Sequence, residues 1–291
     1  MSNTRRQFLK HALGAAAACS TTRLATANEP VPLPPLVDTH VYLGHWPHKP
    51  LTSEHPAKLA DDLRNSGVIR AWAGSFDGLF HKDIAAVNQR LADACTKFGD
   101  GLFIAIGTIN PNLPDWEDDV RRCHEVHNMP GVRLHPNYHG YTLDDPRFAK
   151  LLNLASERAL VVQIVTSMEQ TKHLLLNPHG ESVNLSPLPK AQADNGKAKV
   201  LLSNTFEKAD DKKTQPLLSH SSIWFDFARA QSSAELSQLV SQASRDRVVF
   251  GSSAPLHDVD NAITNVRQAQ LAQSDVQAIA AGNAVNLIRR N

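Results

Sequence analysis

Between residues 36 and 289 the chain repeats one alternation eight times: a short apolar run rich in β-branched residues, then a stretch with helical periodicity. The runs at 36–43, 68–76, 101–108, 131–136, 160–166, 198–204, 222–228 and 247–252 read as strands. The windows at 56–66, 83–98, 115–127, 145–158, 187–194, 210–218, 232–243 and 258–271 read as helices, and a last helix follows near 274–289. Local punctuation agrees: Ser66-Gly67 and Met129-Pro130-Gly131 stop helices just before strands, and Asp144-Asp145-Pro146 opens one. Eight strands, each followed by a helix, predict a (β/α)8 TIM barrel. A doubly wound open sheet is the other architecture with this order.

The domain plan is a leader at 1–27, a Pro-rich lead-in at 28–35 and a barrel at 36–291. Thr4-Arg5-Arg6-Gln7-Phe8-Leu9-Lys10 carries the twin-arginine pattern, an Ala-rich stretch runs from Ala12 to Ala18, and Ala25-Thr26-Ala27 offers a cleavage site. Export by the twin-arginine route to the periplasm is therefore expected. A lipid anchor on Cys19 has weaker support, because its upstream box is incomplete. Cleavage removes Arg5, Arg6, Lys10 and Arg23 and no acid from a chain of 30 basic and 29 acidic residues, leaving a mildly acidic product. That balance, with lysine and arginine scattered, predicts no nucleic-acid partner, and no apolar run reaches the length of a membrane span. The expected partner is a small-molecule ligand, with assembly into a homo-oligomer left open. Cys95 and Cys123 lie in helical patterns and read as buried thiols rather than a bridge.

Active sites of such barrels lie at the C-terminal ends of the strands, where alternate residues point inward. That parity groups Asp38, His40 and Tyr42 on the first strand, and Arg133 with His135 on the fourth, just before Pro136-Asn137-Tyr138-His139. The second strand ends in Ser75-Phe76-Asp77, the sixth in Asn204, the seventh near Asp226 and the eighth in Ser252-Ser253. Asp38, His40, His135 and Asp77 are the candidate acid–base set: an imidazole moves the proton and a carboxylate orients the ring. Arg133 is placed to hold a substrate carboxylate or to pair with Asp38 or Asp77; Tyr42, Tyr138, His139 and Trp46 are placed to line a ligand. The loop over 167–197, after the fifth strand, belongs to the same face.

These motifs carry a resemblance. Val37-Asp38-Thr39-His40, Gly131-Val132-Arg133-Leu134-His135-Pro136, Val249-Phe250-Gly251-Ser252 and Gly282-Asn283-Ala284-Val285-Asn286-Leu287 resemble, in order and spacing, the amidohydrolase-related family, in particular its decarboxylase-like group. The resemblance implies a barrel of the metal-dependent-hydrolase type, one divalent ion, often zinc, and substrates that are small carboxylates, lactones or amides. Carried over by position, it also implies a degenerate metal site. His40 matches the first histidine, but Tyr42 stands where the family has the second, Val165 (or Thr166) at the strand-5 histidine, Asn204 at the strand-6 histidine, and Ser253 at the strand-8 aspartate.

Three readings follow. In the first, a metal, zinc or another transition ion, sits at a shifted site drawn from His40, His135, His139 and Asp77, with His40 and His135 as its first ligands. Alternatively, the protein is a metal-free hydrolase or lyase, with His40 or His135 as general base. In the third, the barrel no longer catalyses and serves as an exported binding or structural protein.

Overall fold

The computed structural model describes residues 32–168, 182–195, 198–205 and 215–289. The leader and cleavage site lie outside the described residues, as does part of the loop after the fifth strand. The strands are β1 (Leu36–Leu43), β2 (Val68–Ser75), β3 (Phe103–Ala105 continuing as Gly107–Thr108), β4 (Gly131–Leu134), β5 (Val161–Val165), β6 (Lys199–Ser203), β7 (Ile223–Asp226) and β8 (Val248–Val249). Every pairing is parallel and joins strands consecutive in sequence.

Two seams close the sheet into a barrel. Where β3 is interrupted, the Ile106 amide still donates to Ala73 at 2.8 Å. Between the last strand and the first, Thr39 N–H donates to Phe250 (2.9 Å), Ser253 N–H to His40 (2.8 Å) and Tyr42 N–H to Ala254 (2.8 Å). All eight residues of β1 are buried, as expected of a strand with a neighbour on each side and helices outside.

Side-chain caps and first-turn prolines open the helices, as Asp145-Pro146 predicted for one of them. Asp83, Asp145, Ser232 and Asp258 each accept a backbone N–H of the first turn, and Pro56 and Pro146 occupy the first helical position. The helix Pro146–Glu157 buries Phe148, Leu151, Leu152 and Ala155, one stripe facing the sheet. Cys95 and Cys123 are buried free thiols on the inward faces of Ile84–Gly99 and Trp116–Glu125.

The fold departs from the expected elements in two places. Short helices at Asp77–Phe80 and Pro136–His139 occupy stretches read as loop after β2 and β4; a single turn is too short to display a period. The closing helix is not continuous: Gln273–Gln277 and Asn283–Leu287 flank a π turn at Ala278–Gly282. The Ile279 carbonyl accepts Phe250 N–H at 3.0 Å, so it is turned toward the barrel rather than along the helix.

Candidate functional site at the barrel mouth

The strand ends place a run of buried polar side chains around Tyr42. Its hydroxyl lies 3.0 Å from His135 Nε2 and 3.4 Å from His40 Nε2, so both imidazoles address one phenol. His40 Nδ1 in turn lies 3.1 Å from Asp226 Oδ2. The other Asp226 oxygen accepts the backbone N–H of Asn204 and of Ala228, each at 3.2 Å. Burial works to raise the Asp226 pKa, but His40, Ser203 and the Asn204 amide outweigh it and hold the carboxyl below its ordinary value. Burial pushes both imidazoles down, His135 well below the ordinary histidine value. Neutral rings allow one consistent set of protons: His135 donates to Tyr42 and Tyr42 to His40, which leaves the His40 Nδ1 proton facing Asp226 at ion-pair distance. His135 Nδ1 is then a buried acceptor with no partner among the described residues.

Asp38 does a different job from the one its position on β1 suggested. It accepts His40 N–H (3.0 Å), Ser252 N–H (3.1 Å) and the Ser252 hydroxyl (2.5 Å), tying β1 to the turn after β8 instead of orienting the His40 ring. Burial raises its pKa to about 7 against the pull of those hydrogen bonds. The residue that faces the His40 ring is Asp226. Its signal in the sequence was an acid closing the otherwise apolar run Ile223-Trp224-Phe225, where a carboxylate must find a donor.

Arg133 likewise departs from expectation, making no ion pair with Asp38 or Asp77. Fully buried, it donates to Gln163 Oε1 (2.9 Å) and to the carbonyls of Val41 (2.8 Å), Trp72 (3.0 Å) and Thr39 (3.4 Å). Gln163 continues the network to Thr39 O and Ser203 Oγ. The guanidinium also sits 4.7 Å from the centre of the Tyr42 ring, a cation–π contact. Sequence reading missed Gln163, because backbone carbonyls leave no trace in a motif.

Above this polar layer lies an apolar one. Tyr42 stacks on Phe76 at 4.7 Å, Trp46 packs on Phe76 at 5.1 Å, and Leu79, Val165, Met168 and Leu256 complete the cluster. Trp46, expected at a ligand-binding rim, is 1% exposed and seals the layer. Tyr138 meets Phe80 edge-on at 5.7 Å at the margin of the cluster. His139 packs edge-on against His135 and bonds the Gly78 carbonyl through Nε2 at 2.9 Å. Asp77, expected beside an imidazole, pairs instead with Arg90 at 3.1 Å, because the turn Asp77–Phe80 carries it toward the helix Ile84–Gly99. Of the candidates, His40, Tyr42, Arg133 and His135 therefore converge, while Asp77 does not. Among the described residues no group of three or more His, Cys, Asp or Glu side chains is gathered to hold a metal ion.

Comparison with known proteins agrees with this architecture. A family model described as amidohydrolase matches residues 37–199. No curated protein matches the sequence. Among solved structures, 5-carboxyvanillate decarboxylase from Sphingomonas paucimobilis superposes with a TM-score of 0.67 at 14% identity, covering 88% of this chain and 99% of its own. A 5-carboxyvanillate decarboxylase from Novosphingobium aromaticivorans, a mutant with bound manganese, gives 0.68 at 13%, covering 90% and 99%. The 2,6-dihydroxybenzoate decarboxylase from Rhizobium gives 0.66 at 12%, covering 87% and 98%. At these identities the likeness is one of fold.

Proposed function

Because the chain belongs to the amidohydrolase family, we propose that it keeps the family's barrel without the family's metal and acts as a small-molecule binding protein rather than as a hydrolase or lyase. The observation that carries this reading is the Tyr42 phenol, wedged between His40 and His135 beneath Phe76 and Met168. A catalytic zinc needs three protein ligands and an open position. Burial keeps the Tyr42 hydroxyl protonated, and Val165, Asn204 and Ser253 offer neither imidazole nor carboxylate. The two nitrogens of His40 face Asp226 and Tyr42. The residues present do not fit a catalytic metal ion.

A second reading is favoured by one observation, the chain Asp226–His40–Tyr42–His135 ending in His135 Nδ1, which has no partner among the described residues. That nitrogen has the character of a general base for metal-free proton transfer on a small carboxylate, lactone or amide. Two measurements separate the readings: elemental analysis of protein purified without a tag or added metal, and release of carbon dioxide from 2,6-dihydroxybenzoate and 5-carboxyvanillate. Binding without catalysis predicts far less than one metal per chain and no turnover. Stoichiometric metal with turnover would overturn it; metal-free turnover lost in His135→Gln would select the second reading. In either reading the protein is proposed to work in the periplasm. Replacing Arg5 and Arg6 with lysine should then retain the precursor in the cytoplasm.

A further inference from the structure

The surroundings of Tyr42 close two ways of charging its ring and leave open one that keeps it neutral. Burial holds the hydroxyl protonated, so a phenolate does not form. The Arg133 guanidinium, 4.7 Å from the ring centre, opposes a second positive charge there, so an electron cannot leave by itself. It can leave together with the hydroxyl proton, and a base for that proton is in place. His40 Nε2 faces the hydroxyl at 3.4 Å, and the imidazolium made by taking the proton has the Asp226 carboxylate 3.1 Å from its Nδ1 as counter-charge. His135 Nε2, at 3.0 Å, still donates to the phenol oxygen once the proton has gone. The third neighbour of the hydroxyl, the Met168 sulfur at 3.4 Å, is too weak an acceptor to hold a proton.

A line of rings joins this phenol to the surface. Tyr42 lies flat on Phe76 at 4.7 Å, Phe76 meets Trp46 at 5.1 Å, and Trp46 meets His48 at 4.9 Å and Phe80 at 5.9 Å. Phe80 is nearly half exposed and His48 is exposed, so the line ends at solvent. Trp46 is the readily oxidised ring between Tyr42 and that rim. Its indole N–H is buried with no acceptor among the described residues, so a hole on Trp46 has no base for its proton and passes inward to Tyr42, which has one. Tyr141 makes the contrast: its hydroxyl is also buried, without a partner among the described residues.

We propose that Tyr42 is a redox-active tyrosine that gives one electron, by way of Trp46, to a high-potential outer-sphere oxidant at the Phe80–His48 rim, and its hydroxyl proton to His40. The O–H bond of Tyr42 breaks, an N–H bond forms at His40 Nε2, the oxidant is reduced by one electron, and a neutral phenoxyl radical remains. This step is independent of the ligand-binding reading.

The test is electron paramagnetic resonance on the purified protein, frozen after flash oxidation by ruthenium(III) tris-bipyridine generated from the ruthenium(II) complex and persulfate. One phenoxyl signal is expected. It should persist in Tyr138→Phe/Tyr141→Phe, in which Tyr42 is the one tyrosine left, and be absent from Tyr42→Phe. His40→Gln removes the base and should slow radical formation by at least about tenfold, the rate equivalent of one hydrogen bond to a charged group. Heavy water should slow formation in the wild type, and Trp46→Phe should slow it while Tyr42 remains the residue oxidised. A folded wild type without the signal, a signal lost in the double variant, or one kept in Tyr42→Phe would overturn the proposal. Formation indifferent to both His40→Gln and heavy water would overturn the coupled proton transfer, and indifference to Trp46→Phe would overturn the route.

Discussion

A guanidinium shut away from water has to be met on every side, and Arg133 is met by Gln163 and three backbone carbonyls. Removing it takes their donor from Gln163 Oε1 and from the carbonyls of Val41 and Trp72, so Arg133→Gln should cost roughly 3–5 kcal/mol, read as a lower urea midpoint. Its space is reserved from the other side by Gly74, where an added Cβ would stand 2.5 Å from Arg133 Nη1. Gly251 plays the same part for Asp226, whose Cβ would lie 2.8 Å from a side chain there. Gly251→Val should destabilise by roughly 1–3 kcal/mol through overpacking. An unchanged denaturant midpoint would remove β8 from the packed wall. Tyr42→Phe keeps the stack on Phe76 but strips the hydroxyl from two imidazoles, and should cost about 1–3 kcal/mol.

Between elements, the contact with most effect on behaviour is the Asp38–Ser252 latch that joins β1 to the turn after β8. The folded pKa of Asp38, about 7, lies above its ordinary 3.8, so the folded chain binds this proton more tightly than the unfolded chain. Its contribution is full in acid and is lost as pH rises between those values. His40 and His135 act in the opposite sense: depressed in the fold, they cost stability as pH falls below the ordinary histidine value of 6.5. Asp38→Asn isolates the first effect. Between about pH 4 and pH 7 the wild type should lose stability relative to this variant, and parallel profiles would show that Asp38 is ionised throughout. The latch also marks where legibility ended. The strands of the barrel and the longer helices could be read because each carries a period several residues long. The grouping of His40, Tyr42, Arg133 and His135 followed from strand parity alone. Parity says which way a side chain points, not what it meets, so Asp38, expected to orient the His40 ring, ties two strand ends together, and Asp226, noted only as a strand end, faces the ring. Asp77 left the site because a four-residue turn with no period redirected it.

At the level of the whole barrel, the alignment behind the proposed metal loss can be tested by reversing it. Tyr42→His, Val165→His and Ser253→Asp together should create stoichiometric zinc binding if the backbone still follows the family. A folded triple variant that binds no zinc would show the strand register to be misassigned. The seam between the last strand and the first has one more consequence, for the order of events during synthesis. β1 takes its second neighbour from residues 250–254, and β8 is itself braced by Ile279 and by Asn283, which donates to Val248 at 2.8 Å. Nearly the whole chain must therefore leave the ribosome before the first strand is covered on both sides, and for that interval β1 is an unpaired strand edge of the kind that recruits other chains. The first strand to emerge is among the last to be protected, which makes the nascent protein, rather than the finished one, the form most in need of a chaperone.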